Sequence, residues 1–256
     1  MTDRPAIPAN ENLWAALRRH TAARIGLQRS GASLSTAPLL DIQLAHARAR
    51  DAVHAPLDVA ALEAGLAPLG LPVLRIASAV EDKQTFLMRP DLGRRLASNA
   101  EITLAQQAGN YDVVFVISDG LSARAVQAHA VPVLAAVLPD LRAQHLRIAP
   151  LVIVRHGRVA IGDAVAAALR ASCVVVLIGE RPGLSAPDSM GAYLTWQPGP
   201  QTTDAGRNCI SNIRPAGIGY ADAAFKLVHI LRALRARKLS GVRLKDDSDG
   251  LLLGKP

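Results

Sequence analysis

Asp112-Val113-Val114-Phe115-Val116-Ile117-Ser118 is the stretch on which the fold turns. Its interior is apolar without alternation and too short for a core helix, so it reads as a strand covered on both faces. Asp119-Gly120-Leu121-Ser122 follows as a turn, and then comes a long Ala-rich helical stretch. Strand, loop and helix make one unit of an α/β protein.

The unit repeats downstream. Leu151-Val152-Ile153-Val154 is a second strand, turned at His156-Gly157 and followed by the short segment Arg158 to Gly162 and a helix starting near Asp163. Cys173-Val174-Val175-Val176-Leu177-Ile178 is a third, ending in the loop Gly179-Glu180-Arg181-Pro182-Gly183. Upstream, Val73 to Ala77 suits a strand, and residues 81–107 are mostly helical with a break at Pro90. Buried strands alternating with helices predict a largely parallel sheet with helices on both faces. Ligands of such sheets sit beyond the carboxyl ends of the strands, which places Asp119, Ser122, Glu180 and Arg181 on one rim.

The first third reads as a helical arm. Asn12 caps a helix carrying Leu13, Leu17, Ile25 and Leu27, stopped by Ser30-Gly31; a second runs from Thr36 to about His54 and a third from Asp58 to about Leu69. Domain bounds of 1–70 for this arm and 71–256 for the sheet domain follow. Past Ser189 come a strand candidate at Tyr193 to Trp196, a polar segment Arg207 to Asn212 whose Asn208 and Cys209 stay open between an ordinary turn and a ligand-facing segment, and a helix from about Tyr220 to Lys238.

Composition narrows the function. The formal charge of +8 raises the prospect of nucleic acid, but the arginines are scattered and eight aromatic residues leave little for base stacking. No nucleic-acid partner is expected; a basic surface facing an acidic protein explains the charge equally well. Cys173 opens an apolar run, which favours a buried free thiol, and Cys209 has no partner at metal or redox spacing. The polar opening Met1 to Pro5 and the lack of any run of ~18 apolar residues predict neither export nor membrane insertion, hence a reducing cytoplasm.

Familiar motifs fail in useful ways. Gly217-Ile218-Gly219 meets Asp222 where a dinucleotide fingerprint wants a third glycine. Gly120-Leu121-Ser122 lacks the second glycine of a hydrolase elbow, leaving Ser122 as a helix cap. None of the seven histidines forms a metal pair, and Asp-x-His-x-x-Gly, by which one class of cobalamin proteins donates histidine to cobalt, is missing. Spacing alone leaves Glu180-Arg181 open between an ordinary surface pair and a rigid loop facing a ligand.

Five ordered blocks carry a resemblance: Leu40 to Ala47 with Arg50 to His54, Arg89 to Leu96, Ser118 to Ala123, Gly179 to Ser185, and Asn208 to Ile213. On them the chain resembles the small subunit of ethanolamine ammonia-lyase, the adenosylcobalamin-dependent enzyme that turns ethanolamine into acetaldehyde and ammonia. The resemblance implies a Rossmann-like domain that closes over one side of the cofactor, while a large catalytic subunit holds substrate and the radical chemistry. Cofactor contacts carry over to Val159, Glu180 and Cys209, with Arg158 beside Val159 able to donate to amide carbonyls or phosphate. No catalytic residue and no metal ligand is implied on this chain. The implied setting is a hetero-oligomer in the cytoplasm, free or within a bacterial microcompartment. A stand-alone cobalamin or nucleotide module is the alternative.

Overall fold

The computed structural model describes residues 13–248 and Gly250. In chain order they form α1 (Leu13–Arg18), a hairpin of β1 (Arg29–Ser30) and β2 (Ser33–Leu34), α2 (Thr36–His54), α3 (Val59–Leu66), β3 (Val73–Ala77), α4 (Lys83–Met88) and α5 (Ala100–Ala105). There follow β4 (Tyr111–Ser118), α6 (Ala123–Ala143), β5 (Leu151–Arg155), α7 (Ile161–Leu169), β6 (Ala171–Gly179), β7 (Met190–Trp196), β8 (Asn208–Ile213) and α8 (Tyr220–Arg237).

The sheet runs β3-β5-β4-β6-β7-β8. Its first four strands pair in parallel, and β7 and β8 extend it antiparallel. The opening stretch forms the parallel pairs at the centre, with Val113 to Ile117 fully buried. Its side chains divide between two cores: Val113, Phe115 and Ile117 meet α6 and α8 on one face, and Val114 and Val116 meet α5 and α7 on the other. Two covered faces require apolar residues at both parities, which is why the strand shows no alternation. The α/β, Rossmann-like class read from the sequence stands.

Two local expectations are overturned. The first helix ends at Arg18 instead of carrying Ile25 and Leu27; its proposed cap, Asn12, lies outside the described residues. Arg18 reaches forward to the carbonyls of Ile25 and Gly26, at 3.0 and 2.7 Å. Gly26, at φ +54°, lies so close to the Trp14 indole that a Cβ there would stand 2.2 Å from Cδ2. The chain therefore folds back over its own first turn, and Gly31 (φ +62°) turns the small hairpin.

The segment Arg207 to Asn212, where a turn is the ordinary reading of the asparagines, is instead mostly strand β8. Ile210 and Ile213 face the core, and a register shift opposite Met190 to Ala192 accommodates their odd spacing. That shift breaks the period-two pattern by which a strand is recognised.

Other expectations hold. Ser122 caps α6, its side chain accepting from Ala125 N, and Cys173 is a buried free thiol. The helix placed near Asp163 starts two residues earlier, at Ile161. No helix among the described residues is long and apolar enough to cross a membrane.

Candidate functional site

The carboxyl ends of β4, β5 and β6 meet at one rim, where two turns touch backbone to backbone. Leu121 N donates to Gly179 O at 3.0 Å. A Cβ on Gly179 would fall 2.0 Å from Ser122 O, and one on Gly120, itself at φ +53°, would fall 2.5 Å from Gly179 O. Only glycine permits this approach. The loop after β6 is thereby fixed against the turn after β4.

The turn after β5 is held as firmly. Ser118 Oγ both donates to Gly157 O and accepts from Gly157 N, each at 3.1 Å. Buried Asp119 accepts from His156 N at 2.7 Å. This aims Arg158 and Val159 toward the rim. Arg158 N donates to Gly93 O and its Nη2 to Phe86 O, both at 2.7 Å. The guanidinium carbon lies 4.0 Å from the centroid of the Phe86 ring, a cation–π arrangement. Its Nε is buried without a hydrogen-bond partner.

A cleft of about 340 Å³ opens here, lined by Phe86, Arg158, Val159, Glu180, Arg181 and Tyr193 among others. Three of the four residues singled out in the sequence, Arg158, Val159 and Glu180, thus share one cavity. Cys209 stands behind it, paired in register with Tyr193 across β7 and β8. Cys209 is exposed at the strand surface. The protein packed around its sulfur nevertheless pushes the thiol up, and Glu180 adds to this against the Tyr193 hydrogen bond, which lowers it. Burial likewise pushes the Tyr193 phenol up, so both groups stay protonated at neutral pH.

Glu180 is oriented from β8. Oε1 accepts the Ser211 hydroxyl and Oε2 the Asn212 N–H. Gly191 makes room for it, because a Cβ there would come within 2.9 Å of Glu180 Oε1. The carboxylate keeps unused lone pairs.

Residues that the sequence did not flag complete the wall. Lys83 donates to Gly120 O at 2.9 Å, and its ammonium lies 4.8 Å from the Phe86 centroid. Burial lowers the Lys83 pKa, opposed by Asp119 and assisted by Arg158. Arg158 is lowered by burial first, then by Arg181 and Arg94. Lys83 and Phe86 belong to α4, which follows edge strand β3; only the strand order brings them here, and no sequence signal marks them.

These features define an α/β protein of the Rossmann-like class, with a cleft at the carboxyl ends of its parallel strands, part acidic and part basic. Among the described residues no cluster could hold a metal ion. Residues 11–245 match the family model described as "Ethanolamine ammonia-lyase light chain (EutC)". The chain is 51% identical to the ethanolamine ammonia-lyase small subunit of Azotobacter vinelandii, over 97% of this chain and 93% of that one. It is 50% identical to that of Ralstonia nicotianae, over 99% and 96%, and 50% to that of Xanthomonas campestris pv. campestris, over 98% and 93%. The chain belongs to the ethanolamine ammonia-lyase small-subunit family.

Proposed function

We propose that this chain completes the adenosylcobalamin site of an ethanolamine ammonia-lyase, the remainder being supplied by a large catalytic subunit in a hetero-oligomer. The reaction is conversion of ethanolamine to acetaldehyde and ammonia. Residues 1–70 serve as an arm ahead of the sheet, helical with one hairpin where described, and 71–256 as the cofactor-facing domain. The setting is the cytoplasm, with a bacterial microcompartment as a destination for the assembled enzyme.

The observation that carries this reading is the gathering of Arg158, Val159 and Glu180 in one rim cleft, with Cys209 adjoining. The donor set suits a corrinoid, whose edge presents primary amides and whose nucleotide loop presents a phosphate. Glu180, held by Ser211 and Asn212, accepts amide N–H groups. Arg158 offers a buried, unpartnered Nε, Val159 an apolar wall, and Cys209 a protonated thiol beside Tyr193. A cleft of about 340 Å³, near the lower end of ligand pockets, takes the edge of so large a cofactor and leaves the rest to a second protein.

Adenosylcobalamin, when bound, supplies the radical chemistry that starts the rearrangement. This chain binds and orients the cofactor periphery and excludes water; substrate contacts belong to the large subunit. Mixing this chain with a cognate large subunit, ethanolamine and adenosylcobalamin should yield acetaldehyde. No acetaldehyde from the assembled mixture would refute the assignment.

A further inference from the structure

Strand β3 ends the sheet and pairs along its length only with β5. Pro72 O accepts from Leu151 N, and Ser78 N donates to Arg155 O at 3.1 Å. Even-numbered residues of β3 therefore turn their backbone groups toward β5, and Val73, Arg75 and Ala77 turn theirs outward. The outward side is already paired at its carboxyl end. Residues 95–97 cross there antiparallel, Ala97 N donating to Ala77 O at 3.0 Å and Ala79 N to Arg95 O at 2.9 Å, with Ser78 opposite Leu96. The chain then leaves the edge for α5. Among the described residues, nothing engages the outward N–H and C=O groups of Val73 and Arg75.

This edge lacks its usual guard. A charged side chain commonly keeps further strands from adding to an edge, but Arg75 is turned onto α3, in an ion pair with Glu63. A cavity of about 370 Å³ lies along the edge, with Val59 on its α3 side and Asn99, Ala100 and Thr103 on its α5 side. No carboxylate lines it. Arg155, the last residue of β5, does line it and is exposed. Among the described residues, no ion pair or hydrogen bond engages its guanidinium. Unpaired backbone groups in a row fit another extended backbone, and an unbalanced cation beside them favours a carboxylate.

The edge also adjoins the cleft. Arg155 opens the turn that carries Arg158, and Ser78 Oγ donates to His156 O at 2.8 Å, tying the end of β3 to that turn. A protein that closes over the cleft thus sits beside β3, whereas a second copy of this chain would set two basic edges against each other. We propose that an extended, carboxylate-bearing segment of the large subunit adds to the sheet as a strand beside Val73 to Arg75, its carboxylate meeting Arg155. The inference rests on the large-subunit partnership given above.

Hydrogen exchange tests this on the unaltered protein. In this chain alone the Val73 and Arg75 amides should exchange fast, and in the complex with a cognate large subunit they should slow by about tenfold or more. Two variants add a second readout: Arg155→Glu, at an exposed side chain, and Val73→Pro, which removes one outward N–H at an edge position that tolerates proline. Each should weaken association with the large subunit by about tenfold in sedimentation. A Val73→Pro chain that fails to fold leaves the decision to wild-type exchange and Arg155→Glu. Unchanged exchange at Val73 and Arg75 on assembly overturns the added strand, as does wild-type affinity in Arg155→Glu. Protection that grows with the concentration of this chain alone would give the edge to a second copy and overturn it too. If no complex with the large subunit forms, the partnership itself fails; a complex without edge protection keeps the partnership and removes only the strand.

Discussion

Glu180 Oε2 accepts the backbone N–H of Asn212 at 3.2 Å, which joins the loop after β6 to strand β8 through one carboxylate. The Ser211 hydroxyl on the other oxygen completes the tie. The same group that would meet the cofactor is therefore oriented by the Asn208 to Ile213 block.

Glu180→Ala removes both the acceptor and the tie, and Arg158→Ala removes the donor on the opposite wall. Each should raise the apparent dissociation constant of adenosylcobalamin in the assembled enzyme by about tenfold or more. Ser211→Ala leaves the carboxylate in place but less well held, so a smaller rise is expected. Spectral titration orders the three; a Ser211→Ala effect as large as that of Glu180→Ala would make Glu180 a structural tie alone.

Gly179→Ala should destabilise the rim. Its Cβ would sit 2.0 Å from Ser122 O, a backbone atom that cannot step aside, and a loss of about 2 kcal/mol is expected. Gly199→Ala is the control, since nothing lies within 4 Å of a Cβ there. Urea unfolding of both variants would expose a wrong account if they matched.

Arg207 joins the start of β8 to α7. Its Nη1 and Nη2 reach the two oxygens of Asp163 at 2.7 and 2.6 Å, and its side chain is 2% exposed. Arg207→Met strands the Asp163 carboxylate and should cost about 3 kcal/mol. Arg207→Met with Asp163→Leu removes both charges and should recover much of the loss, as thermal melts of the two variants would reveal.

His129 gives stability a pH dependence. Its Nε2 faces the Asp188 carbonyl at 3.0 Å and must donate to it, so in the neutral ring Nδ1 accepts from the Tyr220 hydroxyl at 2.9 Å. Burial lowers its pKa below 6.5. The unfolded chain thus binds the proton first as pH falls. Stability from this group is complete above about pH 6.5, declines below it, and levels off under the folded pKa. In melts from pH 8 to 5, His129→Gln should lose less stability on acidification than the wild type; parallel curves would contradict the neutral-ring assignment.

The parallel core was legible because burial on two faces writes itself as unbroken apolar runs, as at Val113 to Ile117 and Val174 to Ile178. Ser122 was legible because a cap is a local interaction. Strand β8 was not, since it has two core residues separated by a register shift, Ile210 and Ile213, among exposed polar neighbours. The same holds for the rim. Glu180 and Arg181 follow a strand end and could be placed on it, whereas Phe86, Lys83 and Tyr193 reach it only through the order of strands in space. The departure of the chain from α1 depends on Trp14 lying over Gly26, a contact with no periodic signature.

Equilibrium dialysis of adenosylcobalamin against this chain alone, the large subunit alone and the two mixed tests the half-site most directly. The account predicts weak uptake by either subunit and tight uptake by the mixture, diminished in Glu180→Ala. Tight uptake by this chain alone, or a mixture that binds no better than the large subunit, would contradict it.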